Sequence, residues 1–89
     1  MRFEWDQRKA KDNLRKHGIS FEEASTIFDD PRLVVMADLL HSNGEDRFWA
    51  IGRSGGTRIL LVCHCYRGSD RVRIFSARLA TRSESKLYR

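Results

Sequence analysis

Between Thr57 and Arg82 the chain reads TRILLVCHCYRGSDRVRIFSARLATR, two strand patterns joined by a turn. Ile59 to Cys65 is an almost unbroken apolar run rich in branched residues. Such a run reads as a strand covered on at least one face. Arg67-Gly68-Ser69-Asp70 supplies turn chemistry. Val72, Ile74 and Ser76 then alternate with Arg71, Arg73 and Phe75, a period of two. A histidine, a tyrosine and several arginines thus emerge from the most apolar part of the chain, as they would in a site carried by a rigid sheet.

The strand face that carries each of these residues depends on the turn. If Gly68-Ser69 is a two-residue loop, His64 lies opposite Arg73 and Arg78 points to the other face. An odd-length loop or a bulge brings Ile74, Ser76 and Arg78 to the face of His64, because one slipped residue reverses every side chain. The sequence leaves both open, so Arg73 stands beside Arg78 as a site candidate.

With 89 residues and a net charge of +5, the chain is expected to form a single domain, residues 1–89, with one core. Helical and strand patterns alternate, which points to an α+β class. The excess charge implies an acidic partner, and arginine in particular matches phosphate with its planar fork. Cys63 and Cys65 lie two apart on one strand, a spacing that seldom forms a disulfide. His64 between them faces the other way, so no metal site is expected, nor any cofactor. Buried free thiols, the absence of an apolar leader and the absence of a spanning segment fit a cytoplasmic protein with no membrane partner.

Along the chain, Met1 to Trp5 reads as a brief strand or an extended entry. Asp6 caps a basic helix that carries Ala10, Leu14 and His17 at helical spacing and stops at Gly18. Ser20 and Glu23 form a capping box for a second helix, which ends before Pro31. Leu33 to Ala37 is a short strand, and Ser42-Asn43-Gly44 a turn. Arg47 to Arg53 is the next strand, and Ser54-Gly55-Gly56 leads into the Thr57 strand. Thr81 and Glu84 form a further capping box before a short final helix. The expected architecture is two N-terminal helices packed on a mainly antiparallel sheet, followed by that helix. Trp5 fits either core packing against the first helix or stacking on a substrate.

FEWD, NLRKHGISFEEA, FDDP, HS-x-GEDRF-x-AIGRS, VCHCYRG and RIFSARLATRSE occur in that order over nearly the whole chain. Together they resemble the BrnT-type toxins of type II toxin–antitoxin pairs, whose fold is similar to that of RelE-type ribonucleases. The resemblance implies a growth-arresting endoribonuclease that cleaves RNA without metal. It also implies a BrnA-like antitoxin partner, with operator DNA contacted only through that antitoxin. The matching site positions are Trp5, His64, Arg67, Arg78 and Arg82. The family pattern carries an acidic residue where this chain has Tyr66, which leaves the identity of the general base open.

Metal-free cleavage uses the 2′-hydroxyl as nucleophile. A base must take its proton, cations must stabilise the phosphorane, and an acid must protonate the leaving oxygen. Imidazole titrates near neutrality, which makes His64 the natural base. Neighbouring arginines are expected to keep it neutral by like-charge repulsion. Arg67, Arg78 and Arg82 would stabilise charge, while Tyr66 and Trp5 offer base stacking. Lys9, Lys11 and Lys16 on the first helix would act only as point charges. The rival readings are a non-catalytic nucleic-acid-binding module and a domain that docks an acidic partner on the same basic face.

Overall fold

The computed structural model describes residues 1–41, 44–55 and 57–88. Ser42, Asn43 and Gly56, and with them parts of two expected turns, lie outside the described residues. The chain runs β1 (Arg2–Glu4), α1 (Gln7–His17), α2 (Phe21–Ser25) continuing as a 3-10 turn (Thr26–Asp29), β2 (Val34–Ala37), β3 (Phe48–Arg53), β4 (Ile59–Arg67), β5 (Arg71–Leu79) and α3 (Arg82–Ser85).

Local chemistry explains most of these boundaries. The Asp6 carboxylate accepts from the amides of Arg8 and Lys9 and starts α1. Gly18, at φ 70°, ends it in the left-handed region, and its amide returns to the Leu14 carbonyl. Ser20 caps α2 by accepting from the Glu23 amide at 3.0 Å. The Glu23 carboxylate does not reach back to complete the capping box. It receives Ser54 Oγ at 2.8 Å and the Arg58 guanidinium, tying α2 to the β3–β4 connection. Asp30 does more than end a helix before proline. It accepts from the amides of Arg32 and Arg53 and from the Tyr88 hydroxyl at 2.6 Å, so one carboxylate ties its own turn to two distant parts of the chain.

The five strands form one sheet in the order β1-β5-β4-β3-β2. From β2 to β5 all pairings are antiparallel, but β1 runs parallel to β5, with Arg2, Phe3 and Glu4 opposite Arg71, Val72 and Arg73. The expectation of a mainly antiparallel sheet is therefore corrected to a mixed one. This pairing joins the two ends of the chain, so no turn signal announces it.

One sheet face is packed under α1 and α2. Ala50, Leu60, Val62, Val72, Ile74 and Ala77 meet Ile19, Phe21, Ala24 and Ile27 in the core. Gly52 lies on this face because the 3-10 turn approaches closely; a Cβ there would stand 3.0 Å from both Ile27 and Leu33 side-chain carbons. The far face is covered in part as well: Ile51, Leu61, Cys63 and Cys65 are all buried. The apolar run in β4 is continuous because both of its faces are enclosed.

Candidate functional site

The β4–β5 register decides which side chains share a surface. The connection after Arg67 has three residues, Gly68 to Asp70, with Gly68 at φ 66°. The odd length places Ile74 opposite His64, on the helix-covered face. A register shift between Cys63 and His64 then leaves Phe75 as an extra residue, so Ser76 pairs with Cys63 and Arg78 with Leu61. Loop and bulge together restore what either alone would reverse. Ala77 joins the core face, while Arg67, Arg71, Arg73, Ser76 and Arg78 lie on the far face, opposite to His64.

His64 is completely buried. Phe28 meets its ring edge-on at 4.9 Å and Tyr66 at 5.1 Å, with Phe48 tilted at 5.9 Å. Nδ1 lies 3.3 Å from the Val62 carbonyl. Nε2 is a buried side-chain atom with no hydrogen-bond partner among the described residues. Its pKa is lowered by burial, which disfavours imidazolium. The sequence reading also expected a neutral His64 but attributed this to the arginines. That cause is corrected, since the arginines occupy the other side of the sheet. Tyr66 is about half exposed and closes this cluster, and burial against it raises the Tyr66 hydroxyl pKa. Trp5 is half-buried, its ring edge-on to Phe21 at 5.8 Å. Both aromatics thus face the core side, away from the arginines.

On the far face, cations and carboxylates alternate. Glu4 receives Arg71 at 3.3 Å and Arg73 at 3.0 Å, one carboxylate shared by two guanidinium groups. Glu45 receives Arg67 at 3.3 Å and lies 3.8 Å from the Cys65 thiol. Arg47, from the same segment, places its guanidinium 4.0 Å from the centre of the Phe75 ring. Burial raises the pKa of the neighbouring Cys63 thiol, making it a packing group rather than a nucleophile. Among the described residues no group of three or more His, Cys, Asp or Glu is placed to hold a metal.

Of the predicted cations, Arg67 and Arg73 meet here, at the hairpin end of the sheet. Arg78 lies beyond the bulge. Its guanidinium makes a two-pronged bond to Glu84, at 2.8 and 2.9 Å. Glu84 also accepts from the Thr81 amide and completes the capping box of α3. Arg82 is exposed in the first turn of α3. The structure therefore does not gather His64, Arg67, Arg78 and Arg82 in one place. Sequence reasoning missed Glu4, Glu45 and Arg47. Glu45 and Arg47 stand in the GEDRF motif, the one signal that pointed to them.

The Arg78 clamp has a measurable consequence. It holds the Glu84 pKa at about 2, against the usual 4.5. Arg78→Ala is expected to cost about 1–2 kcal/mol at pH 7, a value reduced because the arginine is about a third exposed. The folded-state pKa is the lower one, so this contribution is complete above pH 4.5 and disappears as the pH falls through about 2. Urea unfolding of both proteins across that range should show the difference shrinking; a constant difference would mean that Arg78 acts through packing alone.

Residues 5–84 match the model of a family described as ribonuclease toxin, BrnT, of type II toxin–antitoxin system. Among solved structures, the chain is similar to the crystal structure of the Brucella abortus ribonuclease toxin BrnT. The two share 27% sequence identity with a TM-score of 0.70, over 92% of this chain and 99% of that one. No curated protein is a significant match.

Proposed function

The chain belongs to the BrnT family of ribonuclease toxins of type II toxin–antitoxin systems, and from that premise we propose that it cuts RNA on the far face of its sheet, without metal. The observation that carries this reading is the alternation of Arg67, Arg71 and Arg73 with Glu4 and Glu45 on one surface. A phosphodiester is an anion that competes with these carboxylates for the same guanidinium forks. Arg67 and Arg73 bind the scissile phosphate and stabilise the charge of the phosphorane. Glu4 and Glu45 are the carboxylates within reach to take the 2′-hydroxyl proton, a role for an acidic group in a chain that carries tyrosine at position 66. Arg82 is exposed and adds charge for RNA farther along the molecule. Arg78 acts by holding α3 in place.

The family is one of toxins with antitoxin partners. The partner proposed here is a BrnA-like antitoxin whose acidic surface covers the arginine face, and operator DNA is reached through the antitoxin. The RelE-like relation of the fold belongs to the same reading, as do growth arrest and action in the cytoplasm. No helix among the described residues is long and apolar enough to cross a membrane.

The test is cleavage of a short RNA in excess EDTA, with the product ends identified. Full activity in chelator and a 2′,3′-cyclic phosphate end are expected, since attack by the neighbouring hydroxyl closes that ring. Activity lost in EDTA and restored by a divalent ion would overturn the metal-free mechanism. Induction of the chain alone should arrest growth, and co-expression of the antitoxin should restore it.

A further inference from the structure

Phe75 is the residue that the β5 bulge pushes out of the alternating pattern. β1 ends at Glu4, opposite Arg73, so among the described residues β5 has no strand partner on that side from Ile74 onward. Phe75 therefore sits at a sheet edge bordered by α1, whose Asn13 side chain bonds the Ala77 backbone there, and not by a strand. Two cations from different elements converge on its ring: the Lys9 ammonium at 5.5 Å and the Arg47 guanidinium at 4.0 Å. Each attraction is worth about 0.5–1 kcal/mol at an exposed site. Two like charges on one aromatic ring also repel each other, and an anion placed nearby relieves that repulsion.

A cleft of about 240 Å³ opens at this point, lined by Lys9, Asp12, Lys16, His17, Phe75 and Ser76 around Asn13. Lys9, Asn13 and Lys16 form one stripe of α1, with the two lysines about 10 Å apart along the axis. The Asn13 amide is already used, donating to the carbonyls of Ile19 and Ala77 and accepting from the Ala77 amide. It fixes the floor of the cleft and leaves Lys9, Lys16, His17, the phenyl ring and Ser76 at its walls, together with the Asp12 carboxylate, which is paired with Arg15 at 3.1 Å. The volume lies below the ~300–1,000 Å³ of pockets for larger ligands, a size suited to one planar group.

We propose that this cleft is a subsite for a single unpaired nucleobase of the RNA substrate, which takes the place of the Lys9 ammonium over the cleft side of the Phe75 ring while Lys9 and Lys16 bind the adjoining phosphates. An aromatic platform flanked by cations is the chemistry of single-strand recognition. Arg47 links the subsite to the arginine face, so RNA cut on the far face continues over the β5 edge onto α1. The proposal rests on the ribonuclease reading above and adds to it a fixed position at which the strand is gripped.

The test is binding of a short non-cleavable 2′-O-methyl RNA, with each position in turn replaced by an abasic unit. Wild-type protein is expected to lose about 5- to 150-fold in affinity at one position, the equivalent of one stacked base. Phe75→Leu should abolish that sensitivity, and Phe75→Trp should keep it. Lys9→Gln should lower the slope of log affinity against log salt by ~0.7 and couple to the same nucleotide, which serves as the second arm if Phe75→Leu fails to fold. RNA that is bound and cut while no abasic position couples to Phe75 or Lys9 overturns the subsite and leaves the ribonuclease reading intact. Wild-type protein that neither binds nor cuts RNA overturns both.

Discussion

Arg73→Ala is expected to lower the saturated rate of RNA cleavage by about 10²–10³, and Arg67→Ala by a similar factor, the usual loss for one preorganised transition-state donor. Both side chains already face carboxylates, Arg73 with Glu4 and Arg67 with Glu45. The carboxylates hold both guanidinium groups on one face before RNA arrives, and the phosphodiester then takes over their forks, so both are in place when charge develops on the phosphorane. Glu45→Gln should lower the rate as well, because an amide cannot accept the hydroxyl proton. Lys16→Gln, on an exposed part of α1, should reduce affinity and salt dependence and leave the saturated rate unchanged. The measurement is single-turnover cleavage at saturating enzyme over a salt series. If the arginine variants lose only affinity and retain the rate, Arg67 and Arg73 are docking groups and the chemistry lies elsewhere.

Arg73 was legible in the sequence as one of two alternatives, and the reason the choice could not be made lies in two local features. Alternation in β5 gives a face only when the register to β4 is known. The three-residue turn shifts that register once, and the bulge at Phe75 shifts it again. Neither leaves a mark stronger than Gly68 and a phenylalanine in an otherwise regular strand. The strands themselves were readable, because branched runs bounded by turn residues have few other uses. The caps at Asp6, Ser20 and Thr81 were readable for the same reason: the side-chain oxygen and the amide it serves are neighbours in sequence. Glu4 and Glu45 were not, because each meets its arginine across the fold. Arg78 illustrates the same limit at shorter range. It looked like a free cation near a hairpin, but the partner that neutralises it is the capping glutamate of the next helix.

His64 carries the second large expected effect, in stability. Burial lowers its folded-state pKa below the ordinary 6.5. Below pH 6.5 the unfolded chain therefore binds a proton that the folded chain refuses, and stability falls as the pH falls, by about 1.4 kcal/mol per pH unit until the folded-state pKa is reached. His64→Leu removes this proton and also removes Nε2, which is buried without a hydrogen-bond partner among the described residues. The variant should be more stable by about 1–2 kcal/mol at pH 7, and its advantage should grow as the pH drops below 6.5. Subtracting the two unfolding curves cancels the contributions of the groups that are present in both proteins. A difference that does not change with pH would mean that His64 takes up its proton as readily in the folded chain as in the unfolded one. The same variant separates a packing role from a chemical one. An imidazole that acts as base must reach the 2′-hydroxyl, yet the Phe28, Phe48 and Tyr66 rings enclose it on the side of the sheet away from Arg67 and Arg73. His64→Leu is thus expected to cleave RNA at close to the wild-type rate. A stable, folded His64→Leu protein with no cleavage would require the aromatic cluster to open during turnover, with Tyr66 as its door.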